Sequence, residues 1–320
     1  MAPEHVSIVE VGPRDGLQAE PDFFPSFEKV RLIELLVASG LRRIEVTSFV
    51  HPKVMPQFVD AAEVLKAIPK VQGVTFSALV PNMKGCARAL ETDVHELALF
   101  LSASETHNRK NVGMSVSESL VALREVARAG LSAGRRLRGY VATAFGCPYE
   151  GRVHKERVYG LVSAYFEMGV SEVSLGDTTG MANPDSVRRL MGKLIAEVGD
   201  PKRIGAHFHN TRGLAIANAL AAYDSGVRVF DASIGGIGGC PTAKEAAGNA
   251  TTEDLVNMFE EMGVSTGVDF EKLRDASAHA QKVIGRALPS FTLVAGRPRW
   301  EGGVDDNHPC AQDVSKNCAA

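Results

Sequence analysis

A chain of 320 residues with 45% hydrophobic and 23% charged side chains has the composition of a folded globular protein, which excludes disorder of the whole chain. A formal net charge of -3 gives no general attraction to phosphate backbones or anionic lipid, so neither nucleic acid nor a membrane surface is expected as a partner. No apolar run approaches the roughly 20 residues of a bilayer span, and a first strand from Val6 leaves no room for a targeting peptide, so a cytoplasmic location is expected.

The elements follow in a strict alternation. Val6 to Gly12 reads as a strand that enters the turn Pro13-Arg14-Asp15-Gly16, and Phe27 to Ser39 as an amphipathic helix stopped by Gly40. Arg42 to Val50 and Pro56 to Ile68 repeat the unit. Gly73 to Val80 with Met83 to Leu90 repeats it again. Val94 to Ala103 is a fourth strand, expected to run into a long loop over Ser102 to Asn111. Ser115 and Glu118 then form a capping box for a helix to about Ala129.

Leu137 to Gly146 is the fifth strand, followed by a helix from Lys155 to Met168. Val170 to Leu175 is the sixth, ahead of a helix opened by Pro184 and Asp185. Arg203 to Asn210 is the seventh, a short apolar run ending in two histidines, and Gly213 to Ser225 is its helix. Val227 to Ile234 is the eighth, leading through a glycine-rich loop to a helix capped by Thr252. Eight such units predict a closed TIM (β/α)8 barrel. The domain is expected over residues 1–288 with an appended helix from Phe270 to Leu288, and a tail over 289–320.

In such barrels the chemistry sits at the C-terminal ends of the strands. The sequence places Arg14, Asp15 and Gln18 after strand one, and Glu45, Thr47 and Ser48 on strand two. Strand six brings Ser174, Asp177 and Thr178, strand seven His207, His209 and Asn210, and strand eight leads to Cys240 and Asn249. The period of two aims both imidazoles to one side. Asp15, His207, His209 and the Asn249 carbonyl form a mixed oxygen and nitrogen set suited to Mg²⁺ or Mn²⁺, with zinc as the alternative. A hard ion with open positions can chelate a hydroxyl together with a carbonyl oxygen.

Each of these residues also has a plainer reading. Arg14 can be a fixed cation aimed at an oxyanion or a salt bridge to Glu45. Cys240 can be a proton donor on a bending loop or a small buried hydrophobe. Glu45 and Asp177 can be ordinary strand-end acids, and His51, His107 and His154 are isolated loop histidines with no expected metal role. Arg109 and Lys110 can meet a phosphorylated ligand, although a solvated loop is the plainer expectation.

At Val11 to Gln18, Ile44 to Phe49, Arg138 to Val141, Gly146 to Gly151, Leu175 to Thr178, His207 to His209, Gly238 to Pro241 and Gly248-Asn249, the chain resembles the 3-hydroxy-3-methylglutaryl-CoA lyase family of metal-dependent TIM-barrel enzymes. The resemblance runs from about Val6 to Leu273. It implies a carbon-carbon lyase that cleaves 3-hydroxy-3-methylglutaryl-CoA to acetyl-CoA and acetoacetate. It also implies an acyl-CoA substrate and a homodimer. By the same resemblance Asp15, His207, His209 and Asn249 surround the divalent ion, and Arg14 steadies the thioester enolate. Cys240 protonates that enolate, with Glu45, Asp177 and His207 relaying protons. Ser48, Ser174 and Thr178 line the acyl pocket, with Arg14 and Gln18 also on the substrate, and Asn111 approaches the CoA portion.

The chain departs from the family at Asn210, where Asp is usual, at Arg212, where Tyr is usual, and over Thr242 to Ala246. Added positive charge from Arg212 and Lys244 points to a related 3-hydroxyacyl-CoA as the alternative substrate. A metal-dependent aldolase or acyl-transfer synthase acting on a 2-oxo acid is the further alternative on this scaffold.

Overall fold

The strands owe their order to a one-sided apolar pattern. Leu97, Leu99 and Leu101, or Val173 and Leu175, recur at every second position, and these belong to the large buried cluster shared with the surrounding helices. The structure, a computed structural model, describes residues 4–239 and 248–298. Its strands are β1 (Ser7–Glu10), β2 (Arg43–Ser48), β3 (Thr75–Leu79), β4 (Glu96–Ser102), β5 (Arg136–Ala142), β6 (Glu172–Asp177), β7 (Ile204–Phe208) and β8 (Val229–Ala232). All neighbouring pairs are parallel. β8 returns to β1 with Ser7 opposite Val229, which closes the expected (β/α)8 barrel.

The other face of the strands fills the barrel with charge. Arg43, Glu96, Arg138, Glu172 and Asp231 are drawn together there, and Arg138 has no solvent exposure. Small separate clusters, Val9 with Val11 and Val229, and Leu79 with Ala98 and Tyr140, complete this interior. Gly205 on β7 makes room for it, because a Cβ there would lie 3.2 Å from both Arg138 Nη2 and Ser174 Oγ.

The helices begin and end where the local chemistry directs. Ser115 and Glu118 form the expected capping box for Val116–Ser132, and Asn183 caps Pro184–Val198. The cap of Thr252–Glu261 is Thr251, whose hydroxyl accepts from the Asp254 amide at 3.2 Å. Thr252, expected in that role, instead donates its hydroxyl to Glu10 Oε2 at 2.6 Å. The appended helix, Phe270–Ile284, packs against Ser26–Ala38 and is pinned by the Asp269 amide on Ser39 O at 2.7 Å. A short helix, Phe291–Ala295, follows within the region expected to be a tail.

The expected loop over Ser102 to Asn111 is instead largely a helix, Glu105–Val112, capped by Ser104 and stopped by Gly113 at φ 74°. Its buried side is made by His107 and Asn108, so no apolar period marks it. Asn108 does the work of a core residue with polar atoms: its Oδ1 accepts from Ser102 N at 2.9 Å and its Nδ2 donates to Met114 O and Ser119 Oγ. His107 is therefore a buried helix residue and not an isolated loop histidine.

Candidate metal and catalytic site

The first part of the site is set by the turn after β1. The amides of both Asp15 and Gly16 reach Val11 O, a wide helical turn that lifts Arg14 and Asp15 over the barrel mouth. Two glycines make the turn possible. A Cβ on Gly12 would stand 2.5 Å from Glu10 Oε1, to which the Gly12 amide donates, and one on Gly16 would stand 2.5 Å from Ile237. Arg14 and Asp15 are both buried.

β7 supplies the imidazoles. His207 and His209 project to the same side, and their Nε2 atoms are 3.2 Å apart. Asp15 Oδ2 lies 3.9 Å from His207 Nε2. One ligand atom from each of Asp15, His207 and His209 lies within 4.8 Å of the others. Asn249 joins them because its backbone bridges to His209, and its Nδ2 donates to Asp15 Oδ2 at 2.9 Å and to Ile237 O at 3.2 Å. That leaves Asn249 Oδ1 buried with no hydrogen-bond partner among the described residues, a costly state for a polar atom. A carboxylate, two imidazoles and an orphaned amide oxygen are the donor set a hard or borderline divalent cation takes.

Arg14 serves two acids at once. Its Nε donates to Glu45 Oε1 and its Nη1 to Asp15 Oδ1 at 2.6 Å, so the ion pair with Glu45 exists and still leaves the guanidinium in the site. Gln18 Nε2 adds a donor to Asp15 Oδ1 at 2.8 Å. Burial alone would raise the Asp15 pKa. The charges of Arg14, His207 and His209 and the Asn249 hydrogen bond outweigh it, and the carboxyl stays below the usual range. For His207 burial pulls down, but the Asp231 hydrogen bond and the charges of Asp15 and Asp231 carry the net direction up.

Asp177 behaves differently. Its Oδ1 accepts from the Met181 and Ala182 amides at 2.7 and 3.0 Å, while its Oδ2 is buried with no partner among the described residues. Burial pushes it up to about 6. An acid so placed can take and return a proton near neutral pH.

A cavity of about 470 Å³ opens beside Arg14, Asp15, His207 and His209, and its walls include Thr178 and Asn111, while Glu45, Asp177 and Asn249 stand behind its lining. Gln18 also lines it, as does Gly239, which directly precedes Cys240 in the sequence. Cys240 and Lys244 lie outside the described residues. Two expected pocket residues sit elsewhere. Ser48 Oγ accepts from the Val50 amide at 3.2 Å, and Ser174 Oγ donates to Asp231 at 2.9 Å beneath His207. Thr178 reaches the cavity while its Oγ1 holds the Thr143 amide at 2.9 Å. Arg212, whose charge pointed to a different acyl group, donates its Nη1 to Thr179 O and Gly180 O, both at 2.9 Å.

Sequence reading assigned no role to Asp231, Arg138 or Tyr140. Asp231 Oδ2 lies 3.2 Å from His207 Nδ1, and the Tyr140 hydroxyl donates to Glu45 Oε2 at 2.7 Å. The available signal was a lone acid inside the apolar run of β8, and Arg138 and Tyr140 two apart on β5.

Comparison with known proteins agrees with this geometry. Residues 5–279 match the HMGL-like family model. Hydroxymethylglutaryl-CoA lyase YngG of Bacillus subtilis is 48% identical over 291 residues, 91% of this chain and 97% of that protein. The human mitochondrial hydroxymethylglutaryl-CoA lyase is 42% identical over 293 residues, 92% of this chain and 90% of that protein. Among solved structures, the Bacillus subtilis HMG-CoA lyase superimposes with a TM-score of 0.89 at 48% identity, covering 92% of this chain and 98% of that one. An Acinetobacter baumannii HMG-CoA lyase in complex with coenzyme A and 3-methylmalate gives 0.88 at 43% identity, covering 95% and 97%. The chain belongs to the HMGL-like family.

Proposed function

We propose that the chain is a divalent-cation-dependent carbon-carbon lyase that cleaves 3-hydroxy-3-methylglutaryl-CoA to acetyl-CoA and acetoacetate. The observation that carries this reading is the convergence of Asp15, His207 and His209 beside Arg14 at one cavity, in a chain similar along most of its length to lyases of that name. The relative whose structure holds coenzyme A supports an acyl-CoA substrate. The ion is proposed to be Mg²⁺ or Mn²⁺, held by Asp15, His207, His209 and the Asn249 amide oxygen.

The reaction removes the proton of the C3 hydroxyl, breaks the C2–C3 bond, and leaves a ketone and a thioester enolate that must gain a proton at C2. The chemistry that a bound divalent cation supplies is Lewis-acid polarisation of the substrate's hydroxyl and carbonyl oxygens. Asp177, between the cavity-lining residues Gly176 and Thr178, is assigned the hydroxyl proton in this reading, since burial pushes its carboxyl up to about 6. Arg14, fixed by Glu45 and Asp15, presents a permanent cation to the charge that develops on the enolate oxygen. Glu45 is engaged on both oxygens, by Arg14 and Tyr140, so its first task in this reading is to aim Arg14. Cys240 is assigned the return of a proton to C2. Homodimeric assembly belongs to the proposal as the commonest closed symmetry.

The test is turnover of a panel of 3-hydroxyacyl-CoA thioesters by the full chain with added Mg²⁺ or Mn²⁺. Release of acetyl-CoA and acetoacetate in equal amounts, with the methylglutaryl compound preferred, supports the proposal. Preference for another thioester shifts the substrate, and no cleavage of any of them overturns the reaction.

A further inference from the structure

Directly beneath the two imidazoles, Arg138 has no exposure and spreads its donors over three partners. Nε meets Glu172 Oε1 at 2.6 Å, Nη1 the Tyr140 hydroxyl at 2.5 Å, and Nη2 Asp231 Oδ1 at 2.6 Å. The other oxygen of Asp231 takes Ser174 Oγ at 2.9 Å and faces His207 Nδ1 at 3.2 Å. Asp231 is 2% exposed, and with a guanidinium on one oxygen it is an acceptor only.

An anionic acceptor against Nδ1 demands an N–H at that nitrogen. A neutral His207 therefore carries its lone pair on Nε2, the atom that faces His209 Nε2 and Asp15 Oδ2. A neutral imidazole in water favours the opposite arrangement, with the proton on Nε2, so the barrel interior reverses the default. We propose that Asp231, clamped by Arg138, is a positioning residue that keeps the His207 proton on Nδ1 and so presents the Nε2 lone pair to a divalent cation. This rests on the cation reading above. Arg138 has a second reach through Tyr140 to Glu45, and thence to Arg14, so one buried guanidinium braces the imidazole side and the Arg14 side of the site together.

Two measurements on the full chain test it. In the first, Mn²⁺ affinity is compared among the wild type, Asp231→Asn and Asp60→Asn, the last of which neutralises a buried carboxylate that Lys29 Nζ holds at 2.7 Å, outside the Arg138 network. Asp231→Asn is expected to bind Mn²⁺ about 10- to 100-fold more weakly, whereas Asp60→Asn stays within about threefold of the wild type, well below that loss. In the second, nitrogen-proton spectra of the histidine rings in metal-free wild type, followed upward in pH until His207 carries a single ring proton, report which of its ring nitrogens holds it. Nδ1–H is expected, and this reading needs no variant to fold. Wild-type Mn²⁺ binding together with an Nε2–H His207, or with equal affinity in Asp231→Asn, overturns the positioning role and leaves the cation site standing. A wild type that binds no Mn²⁺ overturns the cation reading, and the positioning role with it.

Discussion

His207 and His209 face one another Nε2 to Nε2 across 3.2 Å, with Asp15 Oδ2 3.9 Å from the first of them. Two neutral imidazole nitrogens at that separation are held by a shared proton or by a cation that takes both lone pairs. Removing either the carboxylate or one ring breaks the set of three. Asp15→Asn and His209→Ala are each expected to weaken Mn²⁺ binding by about 100-fold or more, measured by direct titration. Wild-type affinity in either variant would remove that residue from the cation site.

Arg14 holds Glu45 through Nε and Asp15 through Nη1, a fork that a lysine ammonium does not reproduce. Arg14→Lys is therefore expected to lower kcat by about 10²- to 10³-fold with a smaller change in KM. A rate within a few fold of the wild type would show that charge alone, without the fork, is enough.

Tyr140 places its hydroxyl between Arg138 and Glu45, accepting a hydrogen bond from one and donating one to the other. In Tyr140→Phe, Glu45 Oε2 loses its donor while fully buried, at a cost of about 1–3 kcal/mol in urea unfolding. Activity is expected to fall as well, because Glu45, no longer held by Tyr140, fixes Arg14 less firmly. Stability unchanged within about 0.5 kcal/mol would mean that another donor reaches the carboxylate.

Glu10 gives a prediction in pH. Burial, the largest influence, pushes its carboxyl from 4.5 to about 7 against the hydrogen bonds of Thr252, Ile234 and Gly12, and the neighbouring charge of Glu253 adds to the rise. Below about pH 4.5 both folded and unfolded chains hold the proton, and its contribution is fully present. As pH rises toward 7 the unfolded chain releases the proton while the folded chain keeps it, so stability is lost through that window, on the order of 3 kcal/mol in all. Glu10→Gln keeps an oxygen for the Gly12 and Ile234 amides and offers an NH2 to the Thr252 hydroxyl. Its Tm is expected to decline less between pH 5 and 8 and to exceed the wild-type value at pH 8. The slope that remains belongs in part to Glu253, likewise raised to about 7 by burial. Parallel Tm curves for the two proteins would contradict the assignment.

The barrel was legible because each strand carries its apolar residues on the face that meets the helices, and because glycine or proline marks the change from strand to helix. The rim donors were legible for a related reason: Asp15 follows a tight turn, and His207 and His209 are two apart at a strand end. The braces below were not. An inward-facing Arg138 or Asp231 alternates with apolar neighbours just as an exposed residue of a half-buried strand does, and its partner lies 93 positions away. Glu105–Val112 escaped for want of an apolar stripe, since His107 and Asn108 fill its buried side. The Thr251 cap was missed by one residue because Thr252 beside it has the same chemistry and a different task.

The most direct measurement is the rate of 3-hydroxy-3-methylglutaryl-CoA cleavage by metal-stripped full chain as Mn²⁺ is added back. Saturable activation from a negligible baseline, with acetoacetate and acetyl-CoA appearing one for one, is the expected result. A rate independent of Mn²⁺, or its absence at saturating Mn²⁺, would contradict the account.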